Sequence, residues 1–267
     1  MTYSIVALDS TTGQLGIAVQ SKAFAVGSAV PWLMAGVGAV ATQASANLHF
    51  GPRGLELLKE GYSPADAISE LLAGDEGRKI RQIGIVDAQG RSATYTGPNC
   101  LHWAGGLAAE GWAIQGNVLA GAEVVEAMAE AYTTTQAPFA ERLLAALAAG
   151  QEAGGDIRGQ QSAALLIRGQ NPASPNGLIA DLRVDDHHAP IEELIRIYHV
   201  GQRMMAAYRG EYIDYAGDIV YSAEQLMQKL QVPSLQGLAD RLGVPDAIRG
   251  RKISQAFRQA IYVERQK

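Results

Sequence analysis

A chain of 267 residues, nearly half apolar and carrying a net charge of −5, can bury a sizeable core as one large domain or a domain with an appendage. Its acidity disfavours nucleic acid or an anionic membrane as partner. The single cysteine, Cys100, excludes an internal disulfide and a cysteine-rich zinc site and fits a reducing compartment. No apolar run reaches the roughly 18 residues that span a bilayer and no leader pattern opens the chain, so the expectation is a cytoplasmic protein.

The runs Tyr3 to Leu8 and Leu15 to Gln20, joined by DSTTGQ, read as a β-hairpin. Both are apolar on consecutive residues, which implies a sheet covered on both faces. A strand over Gly38 to Gln43 follows the segment PWLMAGVG. Two helical patterns come next, PRGLELLKEG and SPADAISELLAG, the second with Ser63 as N-cap and Pro64 at the first helical position. A second hairpin, Gln82 to Val86 with Ser92 to Thr96, surrounds DAQGR. The strand Trp112 to Gln115 leads through Gly116 and Asn117 into helices over about 121–132 and 138–150, with Thr133 to Thr135 as the loop between them. Ser162 to Arg168 and Asp181 to Val184 form another antiparallel pair, and a helix starts near Pro190. Hairpins interspersed with helices argue for an α+β fold with antiparallel sheets covered by helices, not a doubly wound parallel sheet. The composition shifts after Tyr208. The expected organisation is therefore a domain over 1–208 and a small helical appendage over 209–267.

Antiparallel partners have a nearly constant sum of residue numbers. If Asp9 faces Gln14, Thr2 faces Ser21; a tighter turn centred on Thr12 and Gly13 moves that partner to Ala23. Lys22 lies within one residue either way. A threonine hydroxyl needs a base, and a free α-amine with a pKa near about 7.7–8.0 suits that task. Lys22 would lower the amine's proton affinity, and a backbone N–H or Asn47 could stabilise an oxyanion. On these residues alone the plain alternative is stronger: threonine is a common strand residue, and a lysine often ends a strand in solvent.

Other patterns carry less. GVGAVA at 36–41 lacks the helix that a dinucleotide fingerprint requires. DDHH at 185–188 has metal-ligand residue types, but sits where a helix begins. Cys100 with His102 is a secondary nucleophile pair without a specific signature. GxSxG, Walker A and HExxH motifs do not occur.

Several blocks, in order, carry a family resemblance: MTYSIVALDSTTGQLGIAVQSKAFAVGSAVPWLMAGVGAVATQ, FGPRGLELLKEG, WAIQGNVLAGAEVVEAMAEAY, GGDIRGQQSAALLI and DLRVDDH. Together they resemble the DUF1028 family, placed in the N-terminal nucleophile (Ntn) hydrolase superfamily, over roughly residues 2–200. The resemblance implies a four-layer αββα sandwich (Ntn-hydrolase-like), related in architecture to proteasome subunits, and an amidohydrolase acting on a small amide or peptide-like substrate without metal or cofactor. Carried onto this sequence, it implies Thr2 as nucleophile with its own amine as base once residue 1 is removed, and Lys22 and Asn47 as catalytic partners. Leu48 and His49 depart from the family pattern. Ser21, Asn117, Asp156, Arg158, Gln161, Arg183 and Asp186 are the expected substrate-binding residues. The rival expectation is a catalytically inactive αββα scaffold that binds a ligand or protein partner, with a homo-oligomer compatible with either.

Overall fold

The computed structural model describes residues 2–171 and 174–208, and beyond them 212–215, 219–222, 231–241, 243, 248–249 and 252–253. The first hairpin joins β1 (Thr2–Asp9) to β2 (Gln14–Ser21), and its register pairs Asp9 with Gln14 and Thr2 with Ser21. Gly13 closes the turn with φ 68, a conformation that glycine adopts without steric cost. There follow β3 (Pro31–Met34), β4 (Gly38–Ala44), α1 (Phe50–Lys59), α2 (Pro64–Ala73), β5 (Arg81–Asp87), β6 (Ser92–Thr96), β7 (Trp103–Ala109) and β8 (Trp112–Leu119). The series continues with α3 (Glu123–Thr134), α4 (Phe139–Glu152), β9 (Ser162–Arg168), β10 (Leu178–Val184) and α5 (Pro190–Tyr208). Ser63 caps α2 by accepting the Asp66 N–H at 3.2 Å, with Pro64 supplying the first helical residue.

The unit Met1–Ile195 is mixed α/β with two antiparallel sheets. One has six strands in the order β10-β9-β2-β1-β8-β7, the other four in the order β3-β4-β5-β6. Strand alternation sorts their side chains. Val6, Leu15, Ile17 and Val19 from the larger sheet share one apolar cluster with Leu33, Ala39, Ala41 and Val86 from the smaller, so the sheets face each other. On the far side of the smaller sheet, Val40, Ile83 and Ile85 pack with Leu55, Leu57 and Leu58 of α1 and Ile68 and Leu71 of α2. On the far side of the larger sheet, Tyr3 donates to the Leu147 carbonyl of α4 at 3.4 Å, and Gly16 leaves room for Leu143 and Phe139. Consecutive apolar residues in β1 and β2 thus reflect burial on both faces.

Several elements differ from the sequence expectation. β3 and β7 arise from PWLM and WAGGLAA, which are too short or too rich in glycine and alanine to stand out. β8 continues through Gly116 and Asn117 to Leu119 instead of ending at Gln115. Thr133 and Thr134 belong to the last turn of α3, where their hydroxyls donate back to the Ala129 and Glu130 carbonyls at 2.7 and 2.8 Å. The expected helical appendage carries strands: Tyr212–Tyr215 pairs with Ile219–Ser222 and Ile248–Arg249 with Lys252–Ile253, alongside helix Leu235–Arg241. The chain divides into compact units Met1–Ile195 and Arg196–Lys267, so that division falls inside α5, whereas the shift in composition coincides with the helix end at Tyr208.

Between the sheets, Gly84 of β5 lies directly beneath the Gln115 carboxamide of β8, and a Cβ there would collide with the amide. Gly84→Ala should therefore lower stability by about 1–3 kcal/mol, read from the urea midpoint at unchanged m-value, even though alanine costs the strand backbone nothing.

Candidate active site

The inter-sheet core turns polar toward the Thr2 end. Ser4, Gln43, Gln82, Gln115 and Asn117 are each at most 2% exposed. The Ser4 hydroxyl donates to Gln43 Oε1 at 2.6 Å; Gln43 Nε2 donates to Gln82 Oε1 at 2.9 Å, and Asn117 Nδ2 to the same oxygen at 2.8 Å. Gln82 Nε2 in turn donates to the Gly116 carbonyl at 2.7 Å and to Thr96 Oγ1 at 2.9 Å. Carboxamides suit this place because each supplies donors and acceptors without a buried charge.

Thr2 is tied into this network. Its carbonyl accepts from Gln43 Nε2 at 3.3 Å and Asn117 Nδ2 at 3.4 Å, and its hydroxyl donates to Ser21 Oγ at 3.1 Å. The residue stands at the head of β1 between Ser21 of β2 and Asn117 of β8, and is 4% exposed.

Asn117, its register partner, also lines a cavity of about 400 Å3, of which Thr2 itself is not a lining residue. Ala44 and Ser45 at the end of β4 and Ile80 before β5 form one wall; Asn99, Cys100 and Leu101, between β6 and β7, form another; Asn117 and Val118 of β8 close it. None of these residues is charged. Ala44 (φ 63) and Val118 (φ 57) both have left-handed backbone, as does His102 (φ 52) beside Leu101. For a β-branched residue such as Val118 this is strained, and it is held there by bonds from its own N–H to the Leu101 carbonyl and from the Ile157 N–H to its carbonyl, each 3.2 Å. Strain of this kind gathers at functional sites. Cys100 is half-buried, its thiol donates to the Arg81 carbonyl at 3.5 Å, and burial pushes its pKa up against the pull of a Gly97 backbone bond. It therefore stays a thiol, a poor nucleophile at neutral pH. Arg81 fixes the rim: it grips Asp75 through Nε and Nη2 at 2.7 and 3.0 Å and donates to the Ser45 carbonyl at 2.7 Å.

Of the residues expected from sequence, the structure brings Thr2, Ser21 and Asn117 together. Gln161 adjoins them, its N–H donating to the Ser21 carbonyl at 3.0 Å, and the remaining expected residues make contacts of their own. Lys22 is exposed, and its ammonium donates to the Gln160 carbonyl at 3.0 Å. Asn47 lies in the turn before α1: its Oδ1 accepts the His49 N–H at 3.2 Å and its carbonyl accepts the Phe50 N–H at 3.0 Å. Asp156 is a buried brace, bridged to Leu119, accepting the Lys22 N–H at 3.2 Å and gripped by Arg158 at 2.7 and 3.1 Å. Gln161 bonds Asp186 at 3.0 Å, and Arg183 pairs with Asp185 at 2.9 Å on the surface. In DDHH, His187 Nδ1 accepts the Ala189 N–H at 3.1 Å, leading into α5. Sequence reasoning missed Gln43, Gln82, Gln115 and Ser45. A signal existed for the glutamines: isolated amides at alternate positions in strands otherwise apolar on both faces.

Fold and site define a mixed α/β protein whose two facing sheets place a threonine hydroxyl at the head of a central strand, next to an asparagine that lines an uncharged cavity. The chain belongs to the Family of unknown function (DUF1028), which it matches over residues 2–194. The crystal structure of protein SPO2555 from Silicibacter pomeroyi, a DUF1028 protein, is similar with a TM-score of 0.70 and 33% identity, covering 75% of this chain and 86% of that one. Anbu (ancestral beta-subunit) from Yersinia bercovieri aligns with a TM-score of 0.37 and 11% identity over 82% of this chain and 100% of its own. No curated protein matches the chain.

The Arg81 hydrogen bonds hold the Asp75 carboxyl below its ordinary range. The stabilisation they give is complete above about pH 5, begins to fall as the unfolded chain's carboxyl protonates, and is lost as pH falls through the lowered value. Asp75→Asn should lower Tm at pH 7 and flatten the fall in Tm between about pH 5 and pH 2, measured by thermal unfolding across that range.

Proposed function

We propose that the protein is an Ntn-type hydrolase of small, uncharged amides, built as a four-layer αββα sandwich, with Thr2 as nucleophile after removal of residue 1. One observation carries the reading: the Thr2 hydroxyl is anchored on Ser21 while its carbonyl is held by Asn117, a residue that lines the cavity. Taking away residue 1 leaves the Thr2 nitrogen as a free amine at that edge. Resemblance to the Ntn superfamily supports the same assignment.

The amine takes the Thr2 hydroxyl proton as Oγ1 attacks the amide carbon. The resulting oxyanion needs donors; Ser45 Oγ accepts from Arg81 Nη1 at 3.3 Å and so keeps its own proton to give. Breaking the C–N bond sends the proton to the departing amine and leaves an ester on Thr2. Water then cleaves the ester, releasing a carboxylic acid and restoring the hydroxyl. Lys22 contributes only a screened positive charge in this scheme, because its ammonium is exposed and held by Gln160. Ile80, Leu101 and Val118 favour an apolar acyl group, while Asn99 and Asn117 suit the amide.

The inactive-scaffold reading also has an observation in its favour: Thr2 is only 4% exposed while residue 1 is attached. The two readings part on activity. With intact mass confirming loss of residue 1, Thr2→Ala should lower kcat/KM on N-acyl leucinamides by at least about 10³-fold and Thr2→Ser should retain activity. Equal activity in wild type and Thr2→Ala would favour the scaffold.

A further inference from the structure

Two backbone carbonyls fix the orientation of the amides around Thr2. Gln82 faces the Gly116 carbonyl at 2.7 Å and the Gly105 carbonyl at 3.2 Å, so the atom it turns to them must be its donor, Nε2. Gln82 Oε1 is then the acceptor that Gln43 Nε2 and Asn117 Nδ2 share, at 2.9 and 2.8 Å. Asn117 has to present Nδ2 to that oxygen, and the second Nδ2 proton goes to the Thr2 carbonyl at 3.4 Å. Both donors of Asn117 are spent, while its Oδ1 has no hydrogen-bond partner among the described residues.

Asn117 is 2% exposed, so an unmatched amide oxygen costs more here than on the surface. Gln115 Oε1 also lacks a partner, but it is sealed in the core where no ligand reaches it. Asn117, in contrast, lines the cavity of about 400 Å3. Its Oδ1 is the polar side-chain atom left to offer there, held in place by the bonds that also fix the head of β1. A ligand satisfies it with a hydrogen-bond donor. That donor is neutral, because none of the described residues lining the cavity is a carboxylate and one amide oxygen does not offset the desolvation of an ammonium.

We infer that Asn117 is a specificity-determining residue whose Oδ1 accepts an amide N–H of the ligand, so that the cavity takes primary and secondary carboxamides and discriminates against esters and tertiary amides. The choice of an amide over other neutral donors rests on the hydrolase reading; the discrimination rests on Asn117. An ester of the same shape turns an oxygen toward Oδ1, and a tertiary amide turns a methyl group toward it. Each leaves the buried acceptor unpaired.

Binding is measured by titration calorimetry on the full chain carrying Thr2→Ala, which removes turnover. The probes are 4-methylpentanamide, its N-methyl and N,N-dimethyl derivatives, and the methyl ester of the same acid. The first two should bind at least about tenfold more tightly than the last two. Asn117→Val, added to Thr2→Ala, should abolish that preference; if it does not fold, the four probes on Thr2→Ala decide alone. Equal binding of amide and ester, no saturable binding of any probe, or a preference that survives Asn117→Val would overturn the assignment. Hydrolysis plays no part in this test, so an N–H preference in a protein that never turns over would refute Thr2 as nucleophile and leave the role of Asn117 standing, and turnover without the preference would do the reverse.

Discussion

Three glutamines and an asparagine, buried between two sheets, hold the Thr2 end of the molecule together. Gln43 and Gln82 come from the four-stranded sheet and Gln115 and Asn117 from the six-stranded one, and their hydrogen bonds cross the gap that apolar side chains fill elsewhere. A carboxylate or an ammonium in this space would demand a partner of opposite charge, whereas the amides bond one another, Ser4 and the backbone, with Gln115 Oε1 left without a partner. Because the Thr2 carbonyl is one of the acceptors, the head of β1 is fixed by the same bonds that join the sheets. Sheet association and placement of the candidate nucleophile are one constraint.

The cavity inherits its character from that arrangement. Its walls are strand ends and connections, and two of them turn through left-handed backbone at Ala44 and Val118. Arg81 draws the Ser45 wall toward Asp75, so a charged pair shapes the rim while the interior stays uncharged. Cys100 offers the competing nucleophile on that wall, but burial keeps its proton on. A neutral pocket with a protonated thiol on one side, lined by the Asn117 that holds the Thr2 carbonyl, fits the proposed acyl transfer at the Thr2 hydroxyl once a base is freed next to it.

Much of this was legible in the sequence where chemistry is local. The sum rule for an antiparallel hairpin narrowed the Thr2 partner to Ser21 or Ala23 because DSTTGQ permits few turns, and the structure takes the first; Ser63-Pro64 marked a helix start by its capping preference. β3 and β7 escaped because PWLM is short and WAGGLAA packs through the absence of side chains. The site was legible only in part for a related reason. Ser21 follows from one hairpin, but the meeting of Gln43, Gln82 and Asn117 depends on the docking of one sheet on another. Lys22 shows the limit of counting along a strand: it is next to the pair in sequence, yet its side chain leaves toward Gln160.

The central claim is that the Thr2 hydroxyl, freed of residue 1, is the group that attacks a carbonyl. Peptide mass mapping after reaction of the processed protein with a carbonyl electrophile such as a β-lactone tests it directly. The account predicts a single acyl adduct on Thr2; an adduct on Cys100, or none anywhere while residue 1 is absent, would contradict it.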